Sequence, residues 1–432
     1  MCWFLFLSGS LAAAHVGAPI DSVDVHPVAT DGRVLEASIG LGWTADGEDW
    51  RWVCHEAITT TDAVILPRYA VAGRRWVANV PRLEQARTQS DAIYWTDDGC
   101  SWTAATGMTG HEVPALDLDP SGTIALAVTA DEDSDANGIW RSVDGGMAFE
   151  PVLSMAGHRF TSVRLSRGAT EVAAAGSIDA SGQGWMHWSS DAGRTWESRS
   201  VIEGEVVVMA LHPTYSEVGY FVIDGVGVET LYRTADAGRT VEELLPPENY
   251  ISDVEVGPAG DLWVAFGGTA FLHAADGQTL ELVTTAPPGL GVFVDSDRVL
   301  LATRFELVND ALSEGSLTEG FAPRFSFVSF DGPLECPEGT EGHDVCVPLF
   351  PILQESLGMG GETGTGDGSD LETGDDGMGG GASGGGVPSD TAARGEDGRV
   401  DPVASKNTGC GSSAWVWLLP LGLFGLGRPR GA

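Results

Sequence analysis

The residues that could do chemistry in this chain are mostly acidic side chains, and their spacing rarely matches a known site. Residues 131–137 (DEDSDAN) alternate like the ligands that open a calcium-binding loop. Such a loop needs glycine at its sixth position and a bidentate acid at its twelfth, whereas this chain has Ala136 and Ser142 there. We therefore predict a solvated loop and no metal site.

Motifs for nucleophilic catalysis or phosphate binding are also missing from the sequence of residues 22–345. That region has no Gly-x-Ser-x-Gly nucleophile elbow. A phosphate-binding glycine loop followed by lysine is impossible, because Lys406 is the only lysine in the chain. The formal net charge is −39, which argues against a nucleic-acid partner and is typical of a soluble extracellular protein. We predict no catalytic, cofactor-binding or metal-binding residues.

One stretch, Trp188–Glu197 (WSSDAGRTWE), does have a readable physical purpose. Ser189 and Asp191 are residue types whose side chains bond to nearby backbone amides in tight turns. Gly193 can supply the positive φ that such a turn needs. Trp196 is placed to anchor the turn by packing beneath it. The stretch predicts a hairpin turn with a structural role.

Weaker copies of this turn recur along most of the chain, with successive aspartates 40 to 55 residues apart. The aspartates are Asp46, Asp98, Asp144, Asp191, Asp236, Asp276 and, in the faintest copy, Asp331. Short β-rich segments lie between the copies, for example Val206–Leu211, Val218–Ile223 and Thr230–Thr234 before the fifth copy. A period of this length with about four strands per unit predicts a β-propeller.

The turn resembles the Asp-box, or BNR repeat, of sialidases, sortilin-type receptor domains, some secreted glycoside hydrolases and photosystem assembly factors. Ser189, Asp191, Gly193, Thr195 and Trp196 match its pattern Ser/Thr-x-Asp-x-Gly-x-Thr-Trp. In those families the box joins the third and fourth strands of a blade, away from the ligand face. The resemblance therefore implies an all-β, seven-bladed propeller over residues 22–345, and it implies little about function.

Sialidase chemistry is the activity that this resemblance suggests first, and the sequence does not support it. Sialidases use an arginine triad, a Tyr–Glu nucleophile pair and an aspartate acid/base. Their Phe/Tyr-Arg-Ile-Pro motif is missing here, Pro67-Arg68-Tyr69 being only a reversed fragment, and Arg74-Arg75 reads as an exposed strand pair. A glycosidase that uses two carboxylates stays open, because the many acidic residues would hide such a pair.

The four cysteines of the propeller region predict disulfides and an oxidising compartment. Cys54 ends the first repeat and Cys100 lies in the second turn copy, so we predict a Cys54–Cys100 bridge. Cys336 and Cys346 bracket a short loop that a second bridge would close. Zinc held by these cysteines with His55 or His343 is the alternative, although the spacings fit no zinc motif.

The two ends of the chain read as segments that target and anchor the protein. Residues 1–18 resemble a secretory signal peptide without its positive start. Residues 357–406 are rich in Gly, Asp, Glu, Thr and Ser, which predicts a disordered acidic linker. Residues 409–432 combine Cys410, a short hydrophobic helix and terminal arginines. They resemble a myxobacterial C-terminal sorting signal, processed near the cysteine, and a plain single-span anchor is the alternative.

These observations favour a secreted, envelope-anchored, monomeric propeller that serves as a non-enzymatic binding or scaffold module without cofactors. Its ligand would be a protein or a glycan, and its membrane contact would come from the C-terminal segment. The alternatives are an extracellular glycoside hydrolase of the propeller class and a structural propeller without a ligand. Carboxylates with strongly raised pKa values in the central channel would favour the hydrolase, and an ordinary polar lining would favour the binding module.

Overall fold

Short antiparallel strands separated by turn residues make up most of the molecule. The computed structural model describes residues 22–28, 32–58, 67–80, 93–131, 137–224, 229–295 and 298–358. The first three blades comprise β1 (Ser22–Pro27), β2 (Arg33–Ala37), β3 (Gly40–Thr44), β4 (Arg51–Val53); β5 (Arg68–Ala72), β6 (Arg75–Asn79), β7 (Ile93–Thr96), β8 (Thr103–Ala104); and β9 (Ala115–Leu118), β10 (Ala125–Val128), β11 (Gly138–Ser142), β12 (Glu150–Ser154).

Four further blades follow in chain order. They comprise β13 (His158–Leu165), β14 (Ala173–Asp179), β15 (Gln183–Ser189), β16 (Glu197–Glu203); β17 (Glu205–Leu211), β18 (Gly219–Asp224), β19 (Glu229–Thr234), β20 (Glu242–Asn249); β21 (Ile251–Val256), β22 (Leu262–Phe266), β23 (Ala270–Ala274), β24 (Glu281–Leu282); and β25 (Gly289–Asp295), β26 (Arg298–Thr303), β27 (Leu312–Ser316), β28 (Gly320–Phe325). A two-residue strand β29 (Gly332–Pro333) and the helices α1 (Phe305–Val308) and α2 (Glu341–Ser356) complete the elements used below.

Each blade is an antiparallel sheet whose strands are paired in sequence order, and the seven sheets form a ring. The first strands of successive blades contact one another around this ring, and β25 of the last blade contacts β1 of the first. The prediction of an all-β, seven-bladed propeller is therefore confirmed. Because the sheets are meanders, the turns after first strands and after third strands lie on one face of the ring, and the remaining connections lie on the other.

The core lies between neighbouring blades. Second strands such as β2 and β10 are buried along their whole length, whereas the outer strand β12 is mostly exposed. Strands that are covered on both faces read as continuous apolar runs, which explains the sequence of Ala125–Val128 (ALAV). Each cluster of buried apolar residues is shared by adjacent blades, so the hydrophobic effect holds the ring together at every blade junction.

The junction of the last and first blades has an additional component, which we call the C-terminal strap (residues 326–358). After β28 the chain continues to the outer edge of the first blade, where β29 pairs in parallel with β4. Just before the strap, Phe325 stacks on Trp50 with ring centroids 4.2 Å apart. Phe327 and Phe330 of the strap are buried beside Phe325. The strap thus extends the outer edge of blade 1 with residues from the end of the propeller.

Two disulfides fix this strap, and they are not the pairs expected from the sequence. Cys54 is bonded to Cys346, and Cys100 is bonded to Cys336. The predicted Cys54–Cys100 and Cys336–Cys346 bridges are therefore wrong. The reason is the path of the strap, which returns to blades 1 and 2 and places Cys346 within α2 against Cys54. With all four sulfurs in disulfides, the zinc alternative is excluded for these cysteines.

Several sequence predictions concern residues outside the described part of the chain. These are the signal peptide (1–18), the acidic loop of residues 131–137 apart from its two end residues, the C-terminal segment (409–432) with Cys410, and the linker (357–406) apart from its first two residues. Among the helices that the structure describes, none has the length and apolar character needed to cross a membrane.

Candidate functional site

The repeated turn around Asp191 is a dense local network of hydrogen bonds. Oδ1 of Asp191 accepts from the backbone N–H groups of Arg194 (3.0 Å) and Thr195 (2.8 Å). Gly193 has a φ of 77° and donates its N–H to Oγ of Ser189. The indole N–H of Trp196 donates to the carbonyl oxygen of Gly193. Burial opposes ionisation, but the backbone and hydroxyl donors of Thr195 outweigh it and lower the pKa of Asp191 to about 2.

The same arrangement recurs between the third and fourth strands of the first six blades, and we call these the Asp turns. In each, Oδ1 of the aspartate accepts from backbone N–H groups two to four residues later, and the pKa of the aspartate is lowered. The aspartates are Asp46, Asp98, Asp144, Asp191, Asp236 and Asp276. These carboxylates accept hydrogen bonds from the backbone of their own turns, so their role is structural.

Asp331 differs from the other six predicted turn residues. It lies in the strap after blade 7, and its Oδ2 accepts from the backbone N–H of Trp50 in blade 1. The third and fourth strands of blade 7 are joined instead by residues 317–319, which contain no aspartate. The prediction of a seventh blade turn at Asp331 is therefore wrong, because the chain has already left the blade at that point.

Donors from the preceding blade attach to several of the Asp turns. Arg75 donates to the carbonyl oxygen of Gly145, Arg141 to that of Ala192, and Arg199 to that of Ala237. Ala192 and Ala237 have a φ of 57°, a left-handed conformation that is uncommon for alanine. The sequence reading of Arg75 as an exposed residue was wrong, since its guanidinium is largely covered and lies over the ring of Trp95. These contacts join blades 2 to 5 in succession.

A central channel lies among the first strands of the blades and has a volume of about 330 Å³. Charged side chains of both signs line it, mostly from the first strands of the blades, with Glu36 on β2, Glu229 on β19 and Arg167 just after β13. The carboxylates are Asp24, Glu36, Asp117, Glu229, Asp253 and Glu255, and the cationic or titratable partners are His26, Arg68, Arg164 and Arg167. Acids outnumber arginines two to one, so the channel favours positive charge over negative charge.

Two of the channel aspartates bind neighbouring blades together. Asp117 accepts from the N–H of Leu118 with one oxygen (2.9 Å) and from the N–H of Leu165 in the next blade with the other (2.7 Å). Asp253 does the same with Val254 (2.8 Å) and with Val292 of blade 7 (2.8 Å). Both oxygens of each carboxylate are therefore occupied by backbone donors.

The pKa values of two channel acids are raised, whereas those of the Asp-turn aspartates are lowered. Burial, reinforced by the negative charge of Asp24, raises the pKa of Asp253 to about 8. Burial also raises the pKa of Glu255 to about 7, although Arg167 opposes the rise from 3.4 Å away. Both residues are partly buried, and the Glu255 side chain is only 14% exposed. The channel therefore contains acids that titrate near neutral pH.

A second cluster lies at the blade 1 side of the channel. Nε2 of His26 is 3.8 Å from Oδ2 of Asp24 and 3.9 Å from Oε2 of Glu36. The other oxygen of Glu36 is 3.6 Å from Arg68, whose side chain is exposed. Burial opposes protonation of His26, but Asp24 and Glu36 outweigh it and raise the pKa of this histidine. Among the described residues, no group of three or more metal-ligating side chains could hold a metal ion.

None of these channel residues is apparent as a site from the sequence. Asp24 and Asp117 each occur singly within an apolar segment (SVDV and ALDL), and Asp253 is followed two residues later by Glu255 (ISDVEV). One signal could have indicated them: an acidic residue recurs at the same position in several first strands. A strand with one face in solvent would instead alternate polar and apolar residues along its length. Only closure of the ring brings the three aspartates to one cavity.

Comparison with known proteins yields similarity of fold alone. No family model and no curated sequence matches the chain. A GH74 xyloglucanase from Xanthomonas campestris is similar at a TM-score of 0.51 and 15% identity, covering 72% of this chain and 54% of that chain. This chain thus spans about half the length of that enzyme. The chain is also similar to YCF48 from Cyanidioschyzon merolae, at a TM-score of 0.46 and 15% identity, covering 66% of this chain and 94% of that chain. Kuenenia stuttgartiensis hydrazine synthase is similar at a TM-score of 0.49 and 12% identity, covering 72% of this chain and 99% of that chain.

Proposed function

We propose that the protein is an extracellular, envelope-anchored binding module whose ligand, a protein or glycan group, enters the central channel without being chemically changed. The observation that carries this proposal is how the channel carboxylates are engaged. Asp117 and Asp253 have both oxygens occupied by backbone N–H groups, and Glu255 faces Arg167. A carboxylate with both oxygens bonded to backbone N–H groups, as in Asp117 and Asp253, holds strands in place and is poorly placed to attack a substrate or protonate a leaving group.

The disulfides support the location that the proposal requires. Cys54–Cys346 and Cys100–Cys336 indicate an oxidising environment. Anchoring rests on the resemblance of residues 409–432 to a sorting signal, and either processing near Cys410 or retention of the segment would tie the propeller to the envelope. The acidic linker (357–406) would then hold the channel away from the surface.

The test is binding of the purified full-length protein to glycan and peptide arrays. Glu255→Gln removes an ionisable carboxyl group from the channel, whereas Glu150→Gln removes one from an exposed position on the outer strand β12. We expect specific binding that the channel variant weakens and the control variant leaves unchanged. Equal binding by the two variants would move the site away from the channel, and hydrolysis of an array component would contradict a purely binding role.

A propeller-class glycoside hydrolase is the second candidate, and one specific observation favours it. Asp253 and Glu255 have pKa values of about 8 and about 7, in the range of a general acid at neutral pH. Glu255 with Asp24 is the pair to test, because Asp253 is fixed by the backbone. Release of sugars from an oligosaccharide library, abolished by Glu255→Gln and retained by Glu150→Gln, would establish the hydrolase in place of the binding module.

A further inference from the structure

The cluster at blade 1 contains a buried nitrogen without a hydrogen-bond partner among the described residues. The side chain of His26 is 6% exposed, and among the described residues its Nε2 makes no hydrogen bond. The oxygens of Asp24 and Glu36 that face it, at 3.8 and 3.9 Å, are too distant for a direct hydrogen bond. Because buried polar atoms are nearly always hydrogen-bonded, the space between these three atoms calls for a further polar group.

We propose that Asp24, His26 and Glu36 bind the primary ammonium group of a ligand that occupies the channel; this rests on the proposed binding function and specifies its ligand chemistry. An ammonium group has three N–H donors and no acceptor. The three facing atoms, Oδ2 of Asp24, Oε2 of Glu36 and Nε2 of a neutral His26, offer one acceptor for each donor.

The remaining atoms of the two carboxylates are already engaged, which leaves these oxygens for a ligand. Oδ1 of Asp24 accepts from the backbone N–H of Val25 at 2.7 Å. Oε1 of Glu36 faces the guanidinium of Arg68 at 3.6 Å. The side chain of Asp24 is 38% exposed, whereas those of His26 and Glu36 are nearly covered. The ammonium group would therefore enter from the channel past Asp24 and end against the two buried side chains.

The rest of the channel suits such a ligand in charge and size. Six carboxylates and three arginines line the cavity, so a cation relieves repulsion among the acids whereas an anion adds to it. A cavity of about 330 Å³ has room for a short alkyl chain behind the ammonium group. Organic cations are preferred over a metal ion, because the three facing groups do not form a metal-binding cluster.

Calorimetric titration of the full-length protein at mildly alkaline pH tests the proposal. The probes are 1,4-diaminobutane and its neutral analogue 1,4-butanediol, with Nα-acetyl-lysine amide to separate a free diamine from a lysine side chain as the source of the ammonium group. We expect one-site binding of an amine and none of the diol. Asp24→Asn keeps the acceptor for Val25 but removes the charge, and it should weaken binding about tenfold or more.

Glu150→Gln is the matched control, and it should leave amine binding unchanged because it removes a charge far from the channel. Glu36→Gln is the second variant, used if Asp24→Asn fails to fold as judged by circular dichroism. Equal binding of the diol, equal weakening by Glu150→Gln, or no amine binding would overturn the ammonium site. If amines do not bind but array binding persists and is weakened by Glu255→Gln, only the ammonium site is wrong. If neither amines nor array components bind, the proposed binding function is wrong as well.

Discussion

Blades 3 to 5 and the junction between blades 7 and 1 join neighbouring sheets by different chemistry. In the former, an arginine of one blade donates to the Asp turn of the next, as Arg141 does to Ala192 and Arg199 to Ala237. Blade 7 has no Asp turn, and its junction with blade 1 uses buried aromatic rings, the strap and the disulfides. Contacts between an arginine and an Asp turn thus add to the apolar packing of blades 3 to 5, whereas the strap and disulfides add to the apolar packing at the closure.

The difference follows from distance along the chain. Arg141 and Ala192 are 51 residues apart and belong to successive repeats, so one turn motif can be reused at each step. Closure joins residues that are 292 positions apart in one disulfide and 236 in the other. Bringing distant segments together costs more loop-closure entropy, and a covalent link reduces that cost by restricting the unfolded chain.

The largest effect should come from removing the Cys54–Cys346 disulfide by the double substitution Cys54→Ser/Cys346→Ser. Linking segments so distant should contribute about 2–5 kcal/mol to the free energy of unfolding. Urea denaturation of the wild type and the variant measures the loss. The matched variant Cys100→Ser/Cys336→Ser should cost a similar amount. A loss well below 1 kcal/mol in both would mean that the aromatic contacts alone close the ring.

Acidification should loosen the Asp turns before the junction, because the stacked aromatic rings and the disulfides of the junction do not depend on ionisation. Donor hydrogen bonds lower the pKa of all six turn aspartates, that of Asp191 to about 2. A carboxyl whose pKa is lower in the folded than in the unfolded state stabilises the fold above its unfolded pKa of about 4. That contribution is lost as the pH falls from about 4 towards 2.

Hydrogen exchange followed by mass spectrometry across this pH range measures the effect. We expect amides in the turns, such as those of Arg194 and Thr195, to lose protection while α2 of the strap keeps it. Correction for the intrinsic pH dependence of exchange is the control. The reverse order would contradict the division of the molecule into acid-sensitive turns and an acid-resistant junction.

Removing the aspartate of one turn should lower stability less than protonating the aspartates of all six turns. Asp191→Ala removes the acceptor of two backbone N–H groups and two hydroxyls, so we expect a loss of about 1–2 kcal/mol in the free energy of unfolding. Asp331→Ala removes the acceptor of one backbone N–H, that of Trp50, and should cost about 1 kcal/mol or less. Thermal denaturation of both variants tests the order. A larger cost for Asp331 would show that the junction depends on polar contacts as much as blade 4 does.

The sequence allowed the blades and six turns to be predicted because their chemistry is local. Ser189, Asp191 and Gly193 meet within five residues, so their types and spacing alone indicate the turn. The disulfides and Asp331 depend on where the strap returns, which no local pattern records. The channel cluster of Asp24, His26 and Glu36 depends on strand register, since Asp24 is paired with Glu36 only once β1 and β2 align. Long-range geometry therefore decided every prediction that was wrong.

The smallest predicted effect concerns strain within the Asp turns of blades 4 and 5. Ala192 adopts a φ of 57°, at which its Cβ is close to the following carbonyl group. Ala192→Gly should raise the free energy of unfolding by about 0.5 kcal/mol, because relief of this strain exceeds the added flexibility of glycine in the unfolded chain. Ala148→Gly in the turn of blade 3 is the control; Ala148 is exposed and has no positive φ, so glycine there should destabilise by about 0.5–1 kcal/mol. If urea denaturation shows that Ala192→Gly stabilises and Ala148→Gly destabilises, blade 4 accepts a strained residue whose carbonyl oxygen binds Arg141. If both substitutions destabilise, Ala192 carries no strain that glycine can relieve.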